Sequence, residues 1–118
     1  MSEEKYTEQD WKLFRSRLPG WQSAYMDRLN QEYIEILSAD AEASDKFWQL
    51  EKRINVDRKK TGVEAEMKRS LLISNLYSLI REGAISVDDL EGFSDELQDH
   101  IKLMANWTPG NDQSVPGP

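Results

Sequence analysis

The sequence has no cysteine. That excludes a disulfide framework, a thiolate metal site and a cysteine nucleophile, and it fits a reducing compartment, so a cytoplasmic location is the expectation. Long apolar runs are also missing. The longest, around Leu71 to Ile73, falls far short of the ~20 residues needed to cross a bilayer, so no membrane role is expected. Met1 to Asp10 mixes acids with Lys5 and carries no apolar run, which argues against a signal peptide. Without one, the sequon Asn106-Trp107-Thr108 is expected to be inert.

Histidine is nearly absent as well, and His100 is the sole representative. A base poised near neutral pH is the usual requirement for nucleophilic or general-base catalysis. Glu96 stands one helical turn before His100 and Asp99 beside it, but no serine has the spacing of a dyad. His100 therefore reads as an ordinary surface or boundary histidine. A glycine-rich phosphate loop and a metal-spaced histidine pair are lacking too. Pairs of acids can run glycosidase chemistry, yet carboxylates are so common here that no pair stands out. Two stretches resemble a calcium loop. From Asp40, the residues Asp40, Glu42, Ser44 and Glu51 match ligand positions, but the obligatory glycine is replaced by Asp45. In the other, Gly83, Ile85 and Asp89 match, while Ser78 and Ile80 stand where the first ligands belong. No enzyme activity, cofactor or metal is expected.

The last thing missing is a basic residue between Arg81 and Lys102, where the charged side chains are Glu82, Asp88, Asp89, Glu91, Asp95, Glu96 and Asp99. They belong to a segment that reads as helical, so they form a negative surface rather than an acidic tail. The formal net charge of −7 repels nucleic acid and anionic lipid at long range. A local exception is the cluster Lys52, Arg53, Arg58, Lys59, Lys60, Lys68 and Arg69. It could grip phosphates, with the Thr61-Gly62 turn offering backbone amides. The alternative is a solvated helix end neutralised by Glu51, Asp57, Glu64 and Glu66.

What is present is helical periodicity in a chain of 118 residues, long enough to bury roughly two-thirds of its unfolded surface in one domain. Thr7 and Asp10 form a capping box for a helix carrying Trp11, Phe14 and Leu18, which Pro19-Gly20 should end. A second helix from Trp21 to Leu37 follows the stripe Tyr25, Leu29, Tyr33, Ile36 and Leu37. Ser44-Asp45 caps a third, with Phe47, Leu50 and Ile54 inward, stopping near Thr61-Gly62. From Val63 to Arg81 the stripe Val63, Met67, Leu71, Ile73, Leu76, Tyr77 and Ile80 predicts the longest helix and the centre of the core. Gly83 suits a left-handed cap, and Ser86 with Asp89 opens a tight corner anchored by Leu90 and Phe93. Ser94 caps a last helix with Leu97, Ile101 and Leu103 or Met104 inward. From Asn106 the composition is that of a flexible tail, residues 106–118, beyond a helical domain of residues 1–105. The fold expected is all-α: an irregular bundle of four main helices plus a short one.

Four tryptophans are many for this size. Trp11 fits the first apolar stripe, Trp21 the corner after the breaker, and Trp107 the end of the last helix. Trp48 lies about a hundred degrees round its helix from Phe47, so it either widens the core stripe or stands exposed as an interface anchor.

The segments Arg17–Gln22 (RLPGWQ), Tyr25–Tyr33 (YMDRLNQEY), Ser44–Ile54 (SDKFWQLEKRI) and Asp88–Leu97 (DDLEGFSDEL) resemble a group of short uncharacterised proteins of Gram-positive gut bacteria and their mobile elements. Some of that group are labelled multidrug transporters, a label this sequence contradicts because it has no apolar span. The resemblance implies a bacterial, mobile-element setting and carries over no functional residue. The expectation is a non-enzymatic protein-interaction module, an accessory or inhibitory factor, that turns Asp88, Asp89, Glu91, Asp95, Glu96 and Asp99, with Trp48, toward a basic protein partner such as a nucleic-acid-processing enzyme. The alternative is a DNA-binding regulator using the basic cluster.

Overall fold

Thr7 starts α1 (Glu8–Ser38) as its sequence predicts: its hydroxyl accepts the Asp10 N–H at 3.0 Å, and the Asp10 carboxylate accepts the Thr7 N–H at 2.9 Å. The computed structural model describes residues 5–106, and among them it is all-helical. After α1 come α2 (Ala43–Asp57), α3 (Leu72–Arg81) and α4 (Asp95–Asn106), with 3-10 turns at Arg69–Leu71 and Val87–Leu90. The tail expected from Asn106 lies outside the described residues, apart from Asn106 itself, which closes α4. Trp107 lies outside them too.

Pro19-Gly20 does not end the first helix, and the two helices expected before residue 38 are one. A proline inside a helix removes a donor and crowds the carbonyl four residues back, at a cost of about 3 kcal/mol. Here Pro19, Gly20 and Arg15 lie on the exposed side, where water can reach the orphaned carbonyl. Leu18 and Trp21, on either side of the breaker, both pack into the same core. Tertiary contacts hold the helix across a residue that local propensity would use to stop it.

The helix expected from Val63 to Arg81 is only its second half. The N–H groups of Val63 and Glu64 both turn back on the Lys60 carbonyl, and the chain runs without helix to Lys68. Asn75, buried on α3, donates to the Glu66 carbonyl at 3.0 Å and pins this segment alongside. The later start also rotates the buried face. Leu72, Leu76 and Leu79 are fully buried, Leu71, Ile73, Tyr77 and Ile80 only half-buried, and Met67 is exposed. At the far end Gly83, at φ 78°, completes the expected left-handed cap, with its N–H on Ile80 and the Ala84 N–H on Leu79.

The core joins Trp11, Phe14 and Leu18 of α1 to Leu72, Leu76 and Leu79 of α3, Leu90 and Phe93 of the corner, and Leu97 and Ile101 of α4. Of the two last-helix candidates, Met104 is half-buried and Leu103 exposed. Asp10, 2% exposed, does more than cap α1. Its carboxylate also accepts the Ser94 N–H at 2.8 Å and the Ser94 hydroxyl at 2.6 Å. One anion thus serves the positive ends of α1 and α4 together.

Beyond Trp21, α1 leaves this core and pairs with α2 as an antiparallel hairpin. Tyr25 and Leu29 are buried in the seam, but α2 contributes mainly polar groups to it. Lys46 donates to the Leu37 carbonyl at 3.0 Å, Arg53 meets Glu32 at 2.6 Å, and the Tyr33 hydroxyl donates to Asp57 at 2.6 Å. The inward stripe expected on this helix is therefore wrong: Phe47 is 59% and Ile54 42% exposed, and Leu50 is half-buried. The helix also begins at Ala43, with Glu42 in the cap position and no side-chain cap bond, so Ser44-Asp45 sits in the first turn instead.

Leu76→Ala is expected to cost about 2–5 kcal/mol, since it opens a cavity in a fully packed site. Asp10→Ala is expected to cost about 2–4 kcal/mol through the lost cap and two orphaned donors on Ser94. Urea unfolding followed by circular dichroism measures both.

Candidate functional site

The acidic corner is built on the 3-10 turn Val87–Leu90 and the start of α4. Ser86 donates its N–H (2.8 Å) and its hydroxyl (3.3 Å) to the Asp89 carboxylate, which sets the turn. Arg17, reaching across from α1, donates to the carbonyls of Asp89 (3.2 Å) and Glu91 (2.6 Å), with its guanidinium over the Phe93 ring. Gly92 lets it in: the backbone there has φ 101°, and a Cβ would stand 2.8 Å from the Arg17 Nη2. Arg17, Trp21, Asp88, Asp89, Glu91 and Gly92 line an open cleft of about 430 Å³.

Asp88, Asp89, Glu91, Asp95, Glu96 and Asp99 are all exposed, and none joins an ion pair among the described residues. Glu82, part of the same acidic run in sequence, is set apart from them. Its carboxylate accepts the N–H groups of Thr61 (2.8 Å) and Gly62 (2.9 Å) and ties the loop after α2 to the end of α3. Sequence reasoning missed Arg17, and no local pattern could have found it, because its partners lie more than seventy residues away.

The basic cluster is largely spent within the chain. Arg53 pairs with Glu32 and Asp57, Lys60 with Asp57, Lys68 with Glu66 and Arg69 with Glu8. Lys52, Arg58 and Lys59 make no ion pair among the described residues. The Thr61 and Gly62 amides, the turn expected to help hold phosphate, are already occupied by Glu82. Gly62 itself is packed against the Tyr25 ring, so closely that any side chain would collide with it.

Asp57 is the buried hub of the hairpin, bonded to Tyr33, Arg53 and Lys60. Burial alone would raise its carboxyl, but the Tyr33 hydrogen bond, with Arg53 and Lys60, prevails and holds it below the usual range. Tyr33 is pushed up to about 12, first by burial and then by the hydrogen bond it gives Asp57. Tyr33 and Asp57 line a groove of about 220 Å³ on one face of the hairpin, and there the Asp57 carboxylate is taken up by Tyr33, Arg53 and Lys60, which ties α1 to α2.

Trp48 is 61% exposed, which settles against its widening the core. The structure does not bring it to the acidic corner either. Trp48 sits on the part of α2 where Lys46 docks at Leu37, whereas the corner docks at Arg17; these points on α1 are about 30 Å apart along its axis. His100 is half-buried on α4 and makes no side-chain hydrogen bond among the described residues. Among those residues no three acids or histidines converge in a way that could hold a metal, and Glu51 instead accepts from Asn55. No described helix is long and apolar enough to cross a membrane. Comparison with known families, with curated proteins and with solved structures finds no match to this chain.

The hub predicts two pH limits. Tyr33 has a raised pKa in the fold, so its contribution is complete below pH ~10 and is lost as pH climbs from there through about 12. Asp57 is depressed, so its contribution holds above pH ~4 and is lost as pH falls through its lowered value. Ultraviolet titration is expected to show a late-ionising phenol that Tyr33→Phe removes, and denaturant titration in acid should show a steeper loss for wild type than for Asp57→Asn.

Proposed function

We infer that the protein is a non-enzymatic interaction module that offers Asp88, Glu91, Asp95, Glu96 and Asp99, with Asp89 at their base, to a basic protein surface. What supports this reading is an asymmetry in how charge is used. Most bases of the basic cluster are committed to ion pairs inside the chain, while the carboxylates of the corner have none. A rigid set of unpaired carboxylates raises the association rate with a cationic surface and favours it over others. Arg17 and the Ser86–Asp89 cap supply the rigidity without neutralising the outer side chains. A cytoplasmic, mobile-element setting would make the positive substrate channel of a nucleic-acid-processing enzyme a fitting target, because spaced carboxylates can imitate phosphates. DNA binding by the basic cluster, expected on the third and fourth helices, is the competing reading, and it would rest on Lys52, Arg58 and Lys59, on α2 and the turn after it.

The two readings differ in which charges matter. Replacing Asp88, Asp95 and Asp99 by Asn and Glu91 and Glu96 by Gln, with Asp89 kept for its cap, removes charge at constant shape. In a nuclease-treated pull-down from bacterial lysate, a basic partner held by wild type is expected to be lost by this variant, with its circular dichroism unchanged. Undiminished recovery would refute the reading. So would duplex DNA binding at physiological salt that Arg58→Ala with Lys59→Ala abolishes.

A further inference from the structure

The hairpin of α1 and α2 leaves most of its exposed apolar side chains along one outer face, with Val56 on the other. The residues of α1 turned toward α2 and the loop after it are Tyr25, Leu29, Glu32, Tyr33 and Ile36, and those of α2 turned toward α1 are Lys46, Leu50, Arg53 and Asp57. A quarter turn further round α1 come Met26 and Leu37, with Ile34 beyond them toward the outer edge, and a quarter turn further round α2 come Phe47 and Ile54. Because the helices are antiparallel, both quarter turns lead to the same side. A groove of about 220 Å³ runs there, lined by Met26, Leu29, Ile54 and Arg58 among others. Trp48, a further quarter turn on at the outer edge of α2, packs edge-on against Phe47, ring centroids 4.8 Å apart.

We propose that this face is the interface of a two-fold dimer of this chain, in which two hairpins stack face to face into a four-helix bundle. Two antiparallel helices form a single layer, and the layer that completes such a core is a second pair of helices. The area fits when the edge residues Ile34 and Trp48 are covered along with Met26, Leu37, Phe47 and Ile54: together they expose roughly 600 Å² per copy, so two copies bury roughly 1,200 Å², the lower bound of a stable interface.

Charge permits the pairing. From Ala24 to Lys60 the chain has eight acids and seven bases, so nearly all of the net charge of −7 lies elsewhere and two hairpins meet without strong repulsion. With the two-fold axis along the helices, α1 of each copy lies over α2 of the other. Asp27, beside Met26 on the outer rim of α1, then faces Arg58 of the second copy, at the same level of the hairpin. Neither residue has an ion pair of its own among the described residues. The acidic corner, far along α1, stays uncovered on both copies.

Sedimentation equilibrium of the full chain from low to high micromolar concentration is expected to approach twice the 13.7 kDa chain mass. Phe47→Glu changes an exposed side chain, so the helical circular dichroism should persist while the dimer Kd rises roughly 30-fold or more. Asp27→Arg should weaken the dimer, and Asp27→Arg combined with Arg58→Asp should recover it. A wild type that stays at 13.7 kDa, leaving the face to a different protein, would overturn the proposal. A Phe47→Glu variant that dimerises like wild type, or a double charge swap that restores nothing, would do the same.

Discussion

Pro19 takes a backbone donor out of the middle of α1, and the helix continues because Leu18 and Trp21 are both held in the core. The rest of the architecture depends on that continuity. The first half of α1 packs on α3 and α4, the second half pairs with α2, and one rigid rod fixes how the two parts stand. Had the chain broken at Pro19-Gly20, Arg17 and Arg28 would sit on separate elements. Instead one helix sends Arg17 to the carbonyls of Asp89 and Glu91 and Arg28 to that of Gly83, so both ends of the acidic corner are referred to the same axis.

The two halves are stabilised by different means. Around Phe14, Leu76 and Leu97 the side chains are fully buried, and the one buried anion there, Asp10, spends its lone pairs on the starts of two helices. In the hairpin the seam depends on a charge network around Asp57, in which Tyr33, Arg53 and Lys60 offset the cost of burying a carboxylate. Such a seam sets register more than it supplies stability, because each partner surrenders hydration to join it. The apolar side chains that would add stability, Phe47, Trp48 and Ile54, are turned outward.

This division places two surfaces of opposite chemistry at opposite ends of one helix. One is a set of carboxylates on a braced turn, suited to long-range attraction. The other is an apolar stripe with an aromatic tip, suited to close contact. The sequence grouped Trp48 with the acids as parts of one partner surface, and the length of α1 separates them. A dimer through the hairpin would carry two acidic corners facing outward, so a partner with two basic sites would be held by both.

Local signals in the sequence determined the all-helical class, the capping box at Thr7 and Asp10, the Ser86–Asp89 turn, the left-handed cap at Gly83, and Leu97 and Ile101 as core. Each depends on residues within about two helical turns of one another. The acidic run was also legible, since charge needs no fold to be counted. Only the tertiary structure decided that α1 survives Pro19, that Val63–Lys68 is not helix, that Phe47 and Ile54 face out, and that Glu82 belongs to the loop at Thr61 rather than to the acidic surface. The reason is the same in each case. A buried face across the breaker, an Asn75 bond to the Glu66 carbonyl, a charged seam and a pair of distant amides are partners far apart in sequence, and their energies exceed the local preferences from which periodicity is read.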